Sequence, residues 1–287
     1  MSSTTFIPPS IIRWPWLDRA GKLSGLKLAF FLAVLAPGLY VLAQALTGTL
    51  GVRPVTEAIH QTGDWTIRLL ILTLAVTPLR RVAQWPRLVS VRRMLGVACL
   101  AYAAIHLSLF TLDQKFDFLH VGAEILLRFY LLLGFVAFLG LCALGWTSTD
   151  AAIKRMGAPA WNRLHILVYP IAVLGLVHFA LQSKRDVSEA MTLAGIFILL
   201  MLARRVDGRG TARPLVLIGL AIVAALASAF GEAAWYGVTT GIAPLPVLMA
   251  NLDPDMLPRP CWWVLGAGLV LAGLRQIRPR PVPKSRA

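Results

Sequence analysis

The sequence has little charge and few cysteines. Charged residues make up 14% of its 287 residues, whereas 57% are hydrophobic, a composition too apolar for an ordinary soluble domain. Cys99, Cys142 and Cys261 lie singly, with no paired spacing and no C-x-x-C-H motif, so we assign them packing roles only. A membrane protein without a disulfide framework is therefore the starting class.

Nucleotide-binding motifs are also absent. The sequence has no G-x-G-x-x-G turn, no G-x-x-x-x-G-K-[ST] loop and no strand pattern to carry either, so it offers no evident site for a nicotinamide or nucleotide. It has no low-complexity linker and no soluble segment larger than a loop. Any chemistry must take place in or beside the membrane, and another protein must supply any electrons.

Long apolar runs are what the sequence does contain. A hydrocarbon layer of about 30 Å takes about 20 apolar helical residues, because backbone groups in lipid must bond within the helix. We predict an all-α, polytopic transmembrane helical bundle. The N-terminus lacks a signal-peptide pattern, so the first span is expected to remain. The eight predicted spans are 26–47, 64–80, 93–112, 125–146, 161–182, 189–204, 213–235 and 260–277.

Basic residues outnumber acidic ones, with 28 Lys and Arg against 13 Asp and Glu, for a net charge of +15. They are concentrated in alternate loops, which membrane orientation explains better than nucleic-acid binding. The positive-inside rule then places both termini in the cytoplasm and requires an even number of spans. The basic segments are 13–27, 80–93, 154–163, 204–213 and 275–286.

Three of the five histidines, His106, His165 and His178, lie inside predicted spans, where ionisable groups are costly and usually functional. Spans three and five both rise from the cytoplasmic side. At 1.5 Å per residue, His106 lies roughly 20 Å above Arg93 and His178 roughly 22 Å above Arg163. Two imidazoles at matched depth on separate helices can bind one iron porphyrin from its two faces. We predict a bis-histidine heme site near the outer surface.

His165 lies about 20 Å below His178 on the same predicted span, the spacing of a second, stacked heme. Positions thirteen apart point about 140° away from each other in an ideal helix, although Pro170 is expected to distort it. Span three offers Arg92 or Arg93 at the facing level instead of a histidine. A second axial ligand is not evident, so the number of hemes, one or two, stays open.

Two further residues are weighed for the same site. His60 is either a helix-end residue before Thr62 and Gly63 or a third ligand or contact near the outer heme. Arg68 either pairs with a heme propionate or extends its charge to the interface. The fifth histidine, His120, is predicted to be a solvated loop residue. Six small residues lie near these histidines in the predicted spans, and they either leave room for a macrocycle or only let the helices pack closely. They are Ala101, Ala103, Ala104, Gly134, Ala172 and Gly175.

Three ordered segments carry a resemblance to a known family: HQTGDWTIRLLILTLAVTPLRR, RRMLGVACLAYAAIHLSLF and WNRLHILVYPIAVLGLVHF. Over roughly residues 25–205 the chain resembles the MsrQ (YedZ) family of heme-binding membrane subunits, within the ferric reductase-like transmembrane superfamily. The resemblance implies heme b, places ligands at His106, His165 and His178, and matches His60 to a family histidine. It also associates FMN with the family, and no flavin motif is found here.

The resemblance further implies an electron-transfer subunit of the bacterial inner membrane, with no catalytic residue of its own. Electrons would enter from a cytoplasmic flavin reductase or quinol. They would leave to a periplasmic molybdopterin methionine sulfoxide reductase (MsrP-like) that repairs oxidised proteins. Two alternatives remain: a ferric or quinol reductase-like cytochrome b with another acceptor, and a non-redox transporter, against which the scarcity of carboxylates in the spans argues.

The predicted organisation has three parts. These are a cytoplasmic N-terminal segment (1–24), a heme-binding transmembrane core (25–205), and a C-terminal extension (206–287) with two further helices and a basic tail. Two features depart from the family: Arg128-Phe129-Tyr130 replaces an R-P-Y motif, and the extension exceeds the usual length. Its outer residues form either an interfacial aromatic belt or a docking surface; they are Glu232, Trp235, Tyr236, Trp262 and Trp263.

Overall fold

The computed structural model describes residues 14–18, 20–184, 186–208, 213–256 and 259–277. Within these ranges the chain is helical, and an isolated bridge between Leu17 and Leu23 is its one β-type pairing. The predicted all-α bundle is confirmed. The helices are α1 (Gly25–Thr47), α2 (Pro54–Val82), α3 (Val89–Asp113), α4 (Phe118–Leu127), α5 (Phe129–Trp146), α6 (Asp150–Met156), α7 (Ala158–His165), α8 (Val168–Gln182), α9 (Ser188–Gly208), α10 (Pro214–Thr240), α11 (Pro244–Leu252) and α12 (Pro260–Ile277).

Five helical segments of the described residues are long and apolar enough to cross a membrane. The three other predicted spans, 64–80, 189–204 and 260–277, coincide with α2, α9 and α12, which are helical but do not meet the same criterion. Asp64 and Arg68 lower the hydropathy of α2. The five segments are Gly25–Thr47, Pro86–Asp113, Phe129–Trp146, Ala158–Gln182 and Pro214–Thr240.

Helix α2 lies at the centre of the bundle and packs against α1, α3, α8 and α9, while α5 packs against α8. Helix α9 also contacts α10 and α12, so it joins the predicted core to the predicted extension. It runs without interruption across the predicted boundary at residue 205, which stays a prediction. Residues 1–13 of the N-terminal segment and 278–287 of the basic tail lie outside the described residues.

Two predicted boundaries are wrong. Helix α2 begins at Pro54, ten residues before the predicted span, because proline is favoured at the first helical position although the first turns are polar. Span four consists of two helices separated by the extended residue Arg128. His120, predicted in a loop, is exposed on α4, and its backbone N–H donates to the capping side chain of Asp117 at 3.0 Å.

Span five is also interrupted, between α7 and α8. Proline has no N–H to donate to the carbonyl four residues earlier. The carbonyl of Ile166, four residues before Pro170, accepts instead from Tyr169 at 3.1 Å, a tighter turn. The distortion predicted at Pro170 is therefore present, and it places His165 and His178 on separate helices.

Tyr102 connects α3 to α1 at a second internal proline, Pro37. The Tyr102 hydroxyl accepts from the backbone N–H of Gly38 at 2.6 Å and donates to the carbonyl of Val34 at 2.8 Å. It thus occupies the place of the helical hydrogen bond that would join those two groups. Insertion of a side chain into the ladder is a recognised cause of helix bending.

We expect Tyr102→Phe to destabilise the protein by about 1–3 kcal/mol, because it removes the partner of a half-buried donor and of a buried acceptor in α1. Thermal unfolding of the protein in nanodiscs measures this effect. Tyr40→Phe is the matched control, since Tyr40 lies on α1 with its side chain exposed. Equal unfolding temperatures for the two variants would contradict the assigned role.

Candidate functional site

A cavity of about 520 Å³ lies between α2, α3, α5 and α8. Its volume is within the range of sites for small molecules and cofactors, roughly 300–1,000 Å³. His60, His106 and His178 contribute to its lining, together with apolar side chains such as Leu70 and Phe138. The cavity lies along the first half of α2, whereas Arg80 lies in the last turn of that helix.

His106 enters the cavity from α3 and is held by the backbone of α2. Its Nδ1 lies 2.8 Å from the carbonyl oxygen of Ile59. Gly63, four residues after that carbonyl, allows the approach, because a Cβ there would lie 3.0 Å from Nδ1 and Cε1 of the ring. A carbonyl can only accept a hydrogen bond, so Nδ1 carries the proton.

His178 enters from α8 and is held by α5 in the same way. Its Nδ1 donates to the carbonyl oxygen of Tyr130 at 2.7 Å. Gly134, again four residues after the carbonyl, would place a Cβ 2.8 Å from Nδ1 and Cε1 of the ring. We call each combination of a carbonyl and the glycine four residues later a carbonyl–glycine pair.

The two carbonyl–glycine pairs hold the rings of His106 and His178 in one tautomer. With Nδ1 protonated, each Nε2 has a free lone pair. Among the residues that the structure describes, neither Nε2 has a hydrogen-bond partner. Ligating histidines commonly donate their other N–H to a backbone carbonyl, which fixes the tautomer and raises the basicity of the ligand.

The distance between the rings suits a shared metal. Their centroids are 6.4 Å apart, with an angle of 82° between the ring planes. Metal–imidazole bonds of about 2 Å, with each ring centre about 1.2 Å beyond its nitrogen, place two opposed imidazoles about 6.4 Å apart across one ion. The described part of the chain holds no group of three or more His, Cys, Asp or Glu that could bind a bare ion. The arrangement therefore fits a metal that brings its other ligands in a macrocycle.

Acidic side chains surround the open end of the cavity. Asp64, Asp113, Asp186 and Glu189 all contribute to the lining. Arg68 donates from Nε and Nη2 to the two carboxylate oxygens of Glu189 at 2.6 and 2.8 Å. This bidentate pair joins α2 to α9 beside the cavity, so the Arg68 charge is already engaged.

The structure brings together only part of the predicted set. His60 is exposed on the second turn of α2 and lines the cavity, so its interpretation as a helix-end residue is wrong. His165 lies outside the cavity lining. Its ring stacks on Trp161 at a centroid distance of 3.7 Å, and its Nε2 lies 3.4 Å from the hydroxyl of Ser148. No second histidine faces it among the described residues.

The sequence reasoning missed the residues that hold the two histidines. Gly63 was noted only beside His60, and Gly134 only as one small residue among several. The backbone carbonyls of Ile59 and Tyr130 were not considered at all. The glycines themselves are the one signal in the sequence that could have indicated these residues, because a glycine on a neighbouring helix leaves room for a histidine ring. Glycines are common in membrane helices, however, so the signal is not specific.

Comparison with known proteins identifies the family of the chain. A sequence model of the ferric reductase like transmembrane component matches residues 62–176. Relatives named protein-methionine-sulfoxide reductase heme-binding subunit MsrQ occur in several bacteria. The relative from Caulobacter vibrioides is 39% identical over 183 residues, 63% of this chain and 87% of the relative. Those from Herminiimonas arsenicoxydans and Rhodospirillum rubrum are each 38% identical, covering 64% and 66% of this chain and 85% and 89% of the relatives. The chain belongs to the MsrQ family.

The segment that matches the ferric reductase description runs from Thr62 in α2 to Leu176 in α8. It includes His106, both glycines of the carbonyl–glycine pairs and His165, and it ends two residues before His178. Family membership and the apolar helices together make this MsrQ relative a multi-pass membrane protein. No solved structure matches the chain.

Proposed function

We propose that this chain is a membrane redox subunit that holds heme b between His106 and His178. The observation that carries the proposal is the pair of imidazoles with centroids 6.4 Å apart, each held through Nδ1, in a cavity of about 520 Å³. The MsrQ relatives are named as heme-binding subunits, which supports the same cofactor. Heme supplies one-electron chemistry when bound between two neutral imidazoles.

The residues of the chain have three tasks in this proposal. The Nε2 atoms of His106 and His178 bind the iron, and the carbonyls of Ile59 and Tyr130 hold the rings and their tautomers. The apolar walls exclude water and lower the local dielectric around the site. Arg68 can serve a heme propionate by sharing or exchanging its contact with Glu189.

His60 and His165 have different roles in the proposal. His60 lies at the cavity and is proposed as a contact of the same heme. The family resemblance proposes His165 as a ligand of a second heme, on the side of the bundle where the charge of Arg92 acts on it. One heme or two is decided by the heme-to-protein ratio. FMN, also associated with the family, is assigned no residues.

We further propose the direction of electron transfer. The cavity lies at the end of α2 opposite to the basic segment 80–93, and the positive-inside rule places that segment in the cytoplasm of a bacterial inner membrane, with both termini on the same side. Electrons enter from a cytoplasmic flavin reductase or quinol. They leave at the cavity end to a methionine sulfoxide reductase, the partner that the relatives' name implies. We propose, from the family resemblance, that this partner is a periplasmic molybdopterin enzyme.

We expect the pure protein, reduced with dithionite, to show low-spin b-type absorption. We also expect deletion of its gene to abolish repair of oxidised periplasmic methionine, with restoration by the intact gene and not by a His106→Ala variant. Mass spectrometry of methionine sulfoxide in periplasmic proteins measures repair. Colourless protein would favour the transporter alternative. Loss of ferric or quinol-dependent reduction with intact repair would favour the cytochrome b alternative.

A further inference from the structure

The end of the bundle where α2 ends and α3 begins, here called the basic end, carries three arginines that make no ion pair with an acidic side chain of the described residues. Arg80 lies in the last turn of α2, Arg92 in the first turn of α3, and Arg204 in α9. Arg92 and Arg204 both interact with Tyr169, the second residue of α8, and Arg80 interacts with Arg92. We call these four residues the arginine cluster.

The groups that bind Arg204 in the described part of the chain are neutral. Its Nη2 donates to the carbonyl of Leu74 at 2.5 Å, and its Nη1 donates to the hydroxyl of Tyr169 at 3.1 Å. The guanidinium carbon lies 5.5 Å from the centroid of the Tyr169 ring. Its Nε is buried and has no hydrogen-bond partner. The Nε–H of a charged guanidinium group is therefore buried in the bundle without a hydrogen-bond acceptor.

Arg92 and Arg80 have still fewer partners. Both side chains are partly buried, and neither makes a hydrogen bond or ion pair with any residue that the structure describes. Arg92 interacts electrostatically with Tyr169, Arg80 and Arg204. The nearby carboxylate of Asp150 is engaged by the adjacent Arg93, at 2.7 Å. Among the residues that the structure describes, no carboxylate pairs with the arginine cluster.

Like charges that are close together and partly removed from water repel one another strongly. Proteins usually relieve such repulsion by pairing the charges. Planar guanidinium groups suit the oxygens of a phosphate, to which they can donate two parallel hydrogen bonds. Because Tyr169 accepts from Arg204, its own O–H remains available to donate to the same anion.

We propose that the arginine cluster binds the phosphate group of a ligand at the basic end of the bundle. An anionic phospholipid headgroup and a soluble phosphate compound offer the same chemistry, and basic pockets between transmembrane helices are known to take lipid headgroups. The cluster lies at the end of α2 away from the heme cavity. The proposal therefore stands whether or not the proposed redox function does.

The full-length protein in nanodiscs provides the test. Its unfolding temperature is compared in phosphatidylcholine alone, in phosphatidylcholine with phosphatidylglycerol, and in phosphatidylcholine with added inorganic phosphate. We expect stabilisation by at least one of the two anions. A response to phosphatidylglycerol alone identifies a lipid headgroup, and a response to inorganic phosphate identifies a soluble ligand. Arg92→Gln and Arg204→Gln are expected to weaken the apparent affinity about tenfold or more.

Arg87→Gln is the matched control, because Arg87 is an exposed arginine at the same end and its loss changes the net charge equally. It should respond as the unmodified protein does. Tyr169→Phe retains the ring against Arg204 and tests the hydroxyl if Arg204→Gln does not fold. Phospholipid bound to purified Arg92→Gln, counted by mass spectrometry, is a second readout. No response to either anion, or equal responses in all variants, would overturn the proposal.

Discussion

Replacing His106 by alanine is expected to abolish the bis-histidine absorption spectrum of the purified protein and to remove most of its heme. The same result is expected for His178→Ala, because each imidazole would supply one of the two ligands that the proposed site gives to the iron. Pyridine hemochrome assays measure the heme-to-protein ratio, and the reduced spectrum reports the ligation. Full retention of a bis-histidine spectrum in either variant would refute the pairing.

Two further histidines serve as controls for this result. His120→Ala changes an exposed residue on α4 and should leave heme content and spectrum unchanged. His165→Ala separates the one-heme and two-heme alternatives: half of the heme is lost if His165 binds a second heme, and none is lost if it does not. Folding of each variant is checked by its unfolding temperature and by gel filtration.

Gly134→Ala is expected to lower heme affinity at least tenfold although it changes no ligand. A Cβ at this position would lie 2.8 Å from the ring of His178, closer than real contacts allow. The ring must then move away from the carbonyl of Tyr130, which holds it at 2.7 Å. Loss of such supporting contacts typically costs 10-fold to 100-fold in metal affinity. Heme titration of the purified apoprotein measures the effect.

A loss of heme affinity in Gly134→Ala would not be explained by a general loss of stability. Alanine favours a helix over glycine by about 1 kcal/mol, so the substitution itself should strengthen α5. Gly219→Ala is the matched control, since a Cβ at Gly219 in α10 meets nothing within 4 Å. Gly63→Ala is expected to have a smaller effect, because its Cβ would lie 3.0 Å from His106. Normal heme affinity in Gly134→Ala would disprove the role of the carbonyl–glycine pair.

Hydropathy predicted most of the helices because lipid allows few ways of satisfying the backbone. It failed where local geometry interrupts an apolar run. Arg128 divides one predicted span, and the turn before Pro170 divides another. Helix α2 was predicted too short, because its first turns are polar and are stabilised by packing and by Pro54. Apolar length alone does not register any of these features.

The candidate site was predictable in part. The number of residues between each basic loop and its histidine predicts that His106 and His178 lie at the same depth in the membrane. In the structure, the centroids of their rings are 6.4 Å apart. Their role as heme ligands stays a prediction, to be tested by the substitutions above. The contact between Arg68 and Glu189 could not have been inferred, since 121 residues separate them in sequence. The rise per residue of a helix gives the depth of a side chain in the membrane, but it does not give the direction in which that side chain points around the helix axis.

By itself, the scarcity of charge and the long apolar runs determined an all-α membrane bundle, because unpaired backbone groups cannot face lipid. The sequence also singled out the histidines, since ionisable groups inside spans are costly. Only the tertiary structure decided which faces of the helices meet. That choice joins His106 to the carbonyl of Ile59 and His178 to that of Tyr130. It also leaves His165 against Trp161 and brings Arg204 to Tyr169. Each of these contacts depends on side-chain packing between helices distant in sequence, which composition does not encode.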